Sequence, residues 1–211
     1  MSSQVASDPS VAATVDPAAI KAEQGHVPKP ADAPFDIHVA FSDSSRINRE
    51  RAAHELCDLV KLEGPQAFTR LGLADAIEKG LKDKKNTAAR EGACELIAML
   101  VEQGVGNSVE PFVYEKVLPL LVGEAFADKI VSVREAAVQS VKALVQVATP
   151  WATSLMLPTL LLQIKTAGKW QVKTGALSVI DQLVISAPEP MAHAMPDIIP
   201  VMVRRLWTRG N

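Results

Sequence analysis

The chain has 211 residues, of which 48% are hydrophobic and 22% are charged, and its formal net charge is -2. A charge this close to neutral argues against a dedicated nucleic-acid-binding domain, which is usually strongly basic, although it leaves room for a local basic patch. Only 4% of the residues are aromatic whereas Ala, Val and Leu are abundant, and small aliphatic side chains favour closely packed helices over a sheet sandwich.

The first 36 residues are predicted to form a disordered tail. They are rich in Ala, Pro, Ser and Asp, and Phe35 is their only aromatic residue. A segment with so little apolar surface cannot offset the entropy lost on ordering. Asp16 and Pro17 would suit the start of one transient helical turn. The tail also has no basic region followed by an apolar core, so no signal peptide is predicted.

From residue 37 onward the pattern is helical, and it repeats. Four segments share a small residue spaced 39 to 44 residues apart, namely Ala53, Ala93, Ala137 and Ala176. Seven residues later each segment has an apolar residue, namely Val60, Leu100, Leu144 and Leu183. The same face of each segment is therefore apolar, which predicts four equivalent amphipathic helices.

A second helical pattern alternates with the first. It aligns at Ile77, Leu118, Leu157 and Ile199, and proline follows the last three of these as Pro119, Pro158 and Pro200. Proline removes a backbone donor and bends a helix. Each unit is therefore predicted to pair a kinked outer helix with a straighter inner helix.

The period near 40 residues and the two helices per unit resemble a HEAT repeat. An armadillo repeat would need a third short helix, for which these loops are too short. The predicted fold is an all-α HEAT-repeat α-solenoid of three and a half to four helix pairs over residues 37–211. Its last repeat is incomplete, so we expect a fragment, an isoform or a truncated product whose uncapped end could promote self-association.

The turns between paired helices carry the residues of interest. In HEAT-like arrays a turn aspartate and a helix cation form a ladder between neighbouring repeats, and here it would comprise Asp83, Arg90, Asp128, Arg134 and Lys173. Because such turns line up on one edge of a solenoid, they would also form a basic strip suited to a phosphate backbone. The strip comprises Lys82, Lys84, Lys85, Lys129, Lys165 and Lys169 beside Trp170, with Arg204, Arg205 and Arg209 as an extension. The alternatives are ordinary solvated turns and a Trp170 side chain that merely plugs the space between repeats.

Nothing in the sequence predicts catalysis, a cofactor or a metal site. The histidines have no partners at metal-ligand spacing, and there is no phosphate-binding GxxxxGK[ST] loop. Cys57 and Cys94 lie in apolar helical patterns and are predicted to be buried thiols in a reducing compartment. The longest apolar run is too short to span a bilayer. We therefore expect a cytoplasmic protein that is not an enzyme and that binds no DNA, membrane or small molecule.

Four short strings, in order, resemble the N-terminal HEAT domain of fungal translation elongation factor three. They are GLKDKK, SVEPFV, KWQVK and MPDIIPVM followed by LW, and the resemblance covers roughly residues 45–208. It implies a scaffold that docks on ribosomal RNA and proteins, without the ATP-binding cassettes with which this family acts on exit-site tRNA. Two other functions stay open. One is a general HEAT adaptor of the transport-receptor or phosphatase-scaffold type, and the other is a fragment without a role of its own.

Overall fold

The computed structural model describes residues 35–207, except the side chains at positions 109, 111 and 204–207. Nearly all of the predicted tail therefore lies outside the described residues. Helices are the only regular secondary structure in the described part, which confirms the all-α prediction. None of the described helices is long and apolar enough to cross a membrane.

The helices alternate between inner and outer positions, as the repeat pattern predicts. The inner helices are α2 (Arg46–Glu63), α5 (Thr87–Glu102), α8 (Val131–Val147) and α10 (Trp170–Ser186). The outer helices are α4 (Leu73–Lys82), α6 (Gly106–Phe112) with α7 (Leu118–Gly123), α9 (Thr153–Thr166) and α12 (Met195–Trp207). Three short helices complete the set: α1 (Ile37–Phe41), α3 (Gln66–Arg70) and α11 (Pro188–His193).

Each inner helix packs against the next one along the chain. Helix α5 contacts α2 and α8, and α8 contacts α10, while α4 and α9 pack on α5 and α10. The aligned residues Ala53, Ala93, Ala137 and Ala176 are all buried, as are Val60, Leu100, Leu144 and Leu183. One continuous hydrophobic cluster therefore runs through the described repeats, and no helix pair buries its apolar face alone.

The outer helices differ from the prediction in two places. Pro158 and Pro200 lie inside α9 and α12, but Pro119 lies at the start of α7, directly after a π-helical turn at Val113–Val117. Residues 106–123 stay helical throughout, so the second outer helix contains a π turn where α9 and α12 contain a proline in the α-helix interior. In α12 the aligned residue Ile199 is 49% exposed, whereas Ile198 and Val201 are buried.

Two glycines allow helices to approach closely. A Cβ atom on Gly92 of α5 would lie 2.0 Å from the carbonyl oxygen of Phe41, at the end of α1. A Cβ atom on Gly175 of α10 would lie 2.8 Å from Cδ2 of Phe126, in the 3-10 turn before α8. Both contacts bring a turn region of one repeat against the inner helix of the next, so they help to set the spacing of the array.

Candidate functional site

Three turns between paired helices are built in the same way. Asp43, Asp83 and Asp128 each accept a hydrogen bond from a backbone N–H two residues ahead, at 2.7, 3.0 and 2.8 Å. A carboxylate that accepts backbone N–H bonds is stabilised in its charged form. The N–H groups of Ser45 and of Asn86 are the main cause that lowers the pKa of Asp43 and of Asp83, respectively.

Arginines at the start of the inner helices join neighbouring turns. The Nε atom of Arg90 donates to Oδ2 of Asp128 at 2.8 Å, and one of its terminal nitrogens donates to the carbonyl of Asp83 at 2.8 Å. Arg134 donates to the carbonyls of Asp128 and Lys129 at 2.8 and 3.0 Å. Arg90 therefore links its own turn to the turn of the next repeat.

Arg49 has the same role in the first repeat, which the sequence alignment missed. Its guanidinium donates to the Asp43 carbonyl at 2.9 Å and to Oε2 of Glu95 at 3.0 and 2.8 Å, and the residue is only 3% exposed. Arg90 and Arg134 lie three residues before Ala93 and Ala137, and the residue three before Ala53 is Glu50 rather than Arg49. The 41-residue spacing between Arg49 and Arg90 was the signal that could have identified it.

The fourth turn continues the row by another route. Ala167 stands where the other turns have aspartate, and the Lys169 ammonium donates a hydrogen bond to the carbonyl of Ala127, 42 residues earlier. Asn86 likewise donates to the carbonyl of Ser42, and Lys173 is half-buried. Turn residues 42–45, 83–86, 127–130 and 167–169 therefore lie side by side, and we call this row the turn edge.

The turn edge presents exposed lysines and apolar side chains together. Lys84, Lys85, Lys129 and Lys169 are exposed on it. Lys82 is also exposed, but it pairs with Glu78 one turn back in α4. Lys165 is exposed near the end of α9, whereas the side chains of Arg204 and Arg205, and all of Arg209, lie outside the described part.

Trp170 begins α10 beside these lysines, and it is 68% exposed. It therefore does not plug the space between repeats, and the plug alternative is wrong. Ile130 and Val131 are also exposed, by 40% and 54%, at the preceding turn. The edge consequently offers cations for phosphate groups and an aromatic face for stacking, which are the two elements of nucleic-acid recognition without base readout.

The face formed by α5 and α8 has the opposite charge. A groove of about 410 Å³ runs between these helices, and its lining includes one cation, Arg46, and four carboxylates, Glu91, Glu95, Glu102 and Glu135. Of these, Glu95 and Glu91 are paired with Arg49, at 2.8 and 3.7 Å. A polyanion would be repelled from this groove and attracted to the turn edge, so the charges favour one orientation of binding.

No catalytic group emerges from the described residues. They contain no cluster of three His, Cys, Asp or Glu side chains that could hold a metal ion. Burial raises the pKa of the Cys57 thiol to about 11 and raises that of Cys94 as well. Neither thiol is therefore ionised enough at neutral pH to act as a nucleophile.

Comparison with known proteins gives consistent matches. Residues 49–209 match the family described as EF3 N-terminal HEAT repeat. Elongation factor 3 of Mycosarcoma maydis is 51% identical over 168 residues, covering 80% of this chain and 16% of that protein. Elongation factor 3 of Gonapodya prolifera is 34% identical over 164 residues, covering 78% and 15%. The stalled ribosome sensor GCN1 of Mus musculus is 30% identical over 158 residues, covering 75% and 6%. The chain thus matches about a sixth or less of the length of these relatives.

Proposed function

Because the chain belongs to the family of EF3 N-terminal HEAT repeats, we propose that it is a ribosome-docking scaffold that acts during translation elongation in the cytoplasm. Elongation and ribosome sensing are what the names of its relatives describe. The scaffold would bind ribosomal RNA and proteins, and any ATPase step would belong to parts of a translation factor outside the matched region. The docking surface would be the turn edge.

The observation that carries this proposal is the alignment of four turns into one row. The contacts from Lys169 to Ala127, from Arg90 to Asp128 and from Asn86 to Ser42 hold these turns together. Exposed lysines that are distant in sequence therefore form one surface. The array also spaces them on rigid elements, which lowers the entropy lost when they bind phosphates.

Phosphate groups suit this edge better than a carboxylate-rich protein surface does. The lysines are compact cations that bind phosphate oxygens as point charges, and Trp170 adds a platform on which an unpaired base can stack. Lys169 is exposed, and its ammonium has two more donors beside the one that it gives to the Ala127 carbonyl. The inter-repeat arginines Arg90 and Arg134 take no part in this binding because they are buried or half-buried and already donate to carboxylates and carbonyls. Asp83, Arg90, Asp128, Arg134 and Lys173 would instead form the ladder that keeps the edge in register.

Ribosome co-sedimentation over a salt series tests the proposal. If Lys84, Lys85, Lys129 and Lys169 each contact a phosphate, the logarithm of the binding constant should fall with the logarithm of salt with a slope of about -3. Charge reversal of Lys84 and Lys129 should weaken binding and reduce this slope by about 2. Trp170→Ala should weaken binding without changing the slope, because it removes stacking but no charge.

The matched control is charge reversal of two exposed lysines away from the turn edge. Lys61 lies in the last turn of α2, and Lys116 lies in the π turn. Their double reversal changes the net charge by the same amount as the double reversal of Lys84 and Lys129. Equal loss of binding in both double variants would reject the turn edge as the docking surface. Binding that is insensitive to salt would instead favour an adaptor whose protein partner is held without ion pairs.

A further inference from the structure

A groove lies at the other end of the helices, away from the turn edge. It is formed where the 3-10 turn Pro150–Ala152 leads into α9 and faces α11 and the start of α12. Its volume is about 660 Å³, which is within the usual range for ligand-binding clefts. The groove is separate from the turn edge, the proposed ribosome interface. It carries carboxylates and Trp151, whereas the turn edge carries lysines beside Trp170.

The groove is lined by hydrogen-bond acceptors. Glu189 and Asp197 contribute exposed carboxylates, and no lysine or arginine whose side chain is described lines the groove. Nδ1 of His193 lies 2.8 Å from the carbonyl oxygen of Glu189. A carbonyl can only accept, so Nδ1 is the donor of this hydrogen bond.

Pro158 leaves a further hydrogen-bond acceptor in the groove, a backbone carbonyl. It lies inside α9 and has no N–H, so it cannot donate to the carbonyl of Ser154, its partner in the normal helical pattern. Both residues line the groove. The hydroxyl of Ser154 is already committed, because it donates to the carbonyl of Trp151 at 2.7 Å. The polar groups of the groove therefore favour a ligand that supplies donors.

Trp151 gives the groove an aromatic wall. It is 84% exposed, although a tryptophan with no binding role is usually covered to a much greater extent. Leu157 and Pro158 supply apolar surface on the same side. A neighbouring groove of about 480 Å³, lined by Tyr114, Glu115 and Leu155 among others, continues the combination of carboxylate and apolar groups.

We propose that this groove binds an arginine side chain carried by an extended segment of a partner protein. A guanidinium supplies five donors and no acceptor, and its planar face stacks on an indole. The groups that would receive it, Glu189, Asp197 and Trp151, all line this one groove. Lysine would fit less well because it lacks the planar fork. A nucleic acid is disfavoured because its phosphates would meet two carboxylates.

The test uses the 211-residue chain and a synthetic peptide. The probe is acetyl-Ala-Pro-Arg-Pro-Ala-amide, whose prolines hold it extended, and its matched control replaces arginine with uncharged citrulline. The readout is the indole N–H resonance of Trp151 in heteronuclear NMR spectra, identified by its loss in Trp151→Phe. The indole resonance of Trp170 is the internal reference, since it lies at the turn edge.

We expect the arginine peptide to shift the Trp151 resonance saturably while leaving Trp170 unchanged. The citrulline peptide should bind about tenfold more weakly, because it lacks the charge on its donors. The double variant Glu189→Gln/Asp197→Asn should bind the arginine peptide about tenfold or more weakly than the wild type does. Both carboxylates are at the surface, so this variant should fold, which its spectrum verifies directly.

Three outcomes would overturn the proposal. One is the absence of any Trp151 shift at about 1 mM peptide, the affinity scale of marginal binding. Another is equal binding of the arginine and citrulline peptides. The third is a Trp151 shift produced by an oligouridine hexamer but not by the peptide, which would make the groove a nucleic-acid site. Ribosomes are not involved in any of these measurements, so their outcome is independent of the docking proposal.

Discussion

Asp128 holds two repeats together, and its replacement by asparagine tests that role. One carboxylate oxygen accepts from the Ile130 N–H at 2.8 Å, and the other accepts from Arg90 Nε at 2.8 Å. The side chains of Arg90 and Asp128 are only 10% and 14% exposed. Asparagine keeps an acceptor for the Ile130 N–H, but it leaves the largely buried Arg90 cation without its carboxylate partner.

The expected cost follows from this geometry. Breaking a fully buried ion pair costs about 3–5 kcal/mol, and a lost charge-assisted hydrogen bond costs about 1.5–3 kcal/mol. Because Arg90 keeps its bond to the Asp83 carbonyl and the pair has some access to solvent, we expect about 2–3 kcal/mol. For a domain of this size that loss lowers the melting temperature by roughly 4–12 °C.

Thermal melts followed by circular dichroism measure the effect, and a double-mutant cycle assigns it. Arg90→Met removes the charge that Asp128→Asn leaves uncompensated, so the double variant should be more stable than the sum of the single losses predicts, by about 1–2 kcal/mol. Arg70→Met is the control, because the Arg70–Glu63 pair is exposed and should contribute less than about 1 kcal/mol. Additive losses at Arg90 and Asp128, or a change no larger than that of Arg70→Met, would refute the reasoning.

Three further predictions concern packing, thiol chemistry and acid stability. Gly92→Ala should lower the free energy of unfolding in urea by about 2–3 kcal/mol, because its Cβ would lie 2.0 Å from the Phe41 carbonyl oxygen, a backbone atom that moves little. An unchanged urea midpoint would contradict this close approach. Cys57, with a pKa near 11, and the buried Cys94 should resist iodoacetamide at pH 8 in the folded chain and react after denaturation, so rapid labelling of the native protein would show that they are not buried. The pKa values of Asp43 and Asp83 are lowered in the folded chain, so both carboxylates stabilise the fold at pH values above their unfolded-state pKa of about 3.9, and this contribution is lost as pH falls through their folded-state pKa values. Asp43→Asn should therefore flatten the dependence of the melting temperature on pH below about pH 4. A dependence as steep as that of the wild type would argue against the turn hydrogen bonds.

The repeat pattern was visible in the sequence because its cause is periodic. A residue such as Ala137 or Leu144 faces the core in every repeat, so burial imposes the same spacing on the chain. The last outer helix shows the limit of this signal. Ile198 and Ile199 are adjacent and equally apolar, and only the packing of α12 against α9 and α11 determines which of them is buried.

The positions of the polar residues were harder to predict. Arg49 is buried because it reaches Glu95 on the next inner helix, a contact between residues 46 positions apart that no local pattern encodes. The exposure of Trp170 likewise depends on where neighbouring turns lie. The lysines of the turn edge could be identified in the sequence, since they lie in turns. Which of them is paired, as Lys82 is with Glu78, depends on rotamers.

The arginine contacts between repeats also affect how the chain folds during its synthesis. Arg49 and Arg90 pair with carboxylates that lie 46 and 38 residues further along the chain. At synthesis rates of 5–20 residues per second, each carboxylate is made about 2–9 s after its arginine. The newest repeat therefore holds an uncompensated cation until the next turn leaves the ribosome. During synthesis these two ion pairs therefore become available in order, starting from the N-terminal repeat.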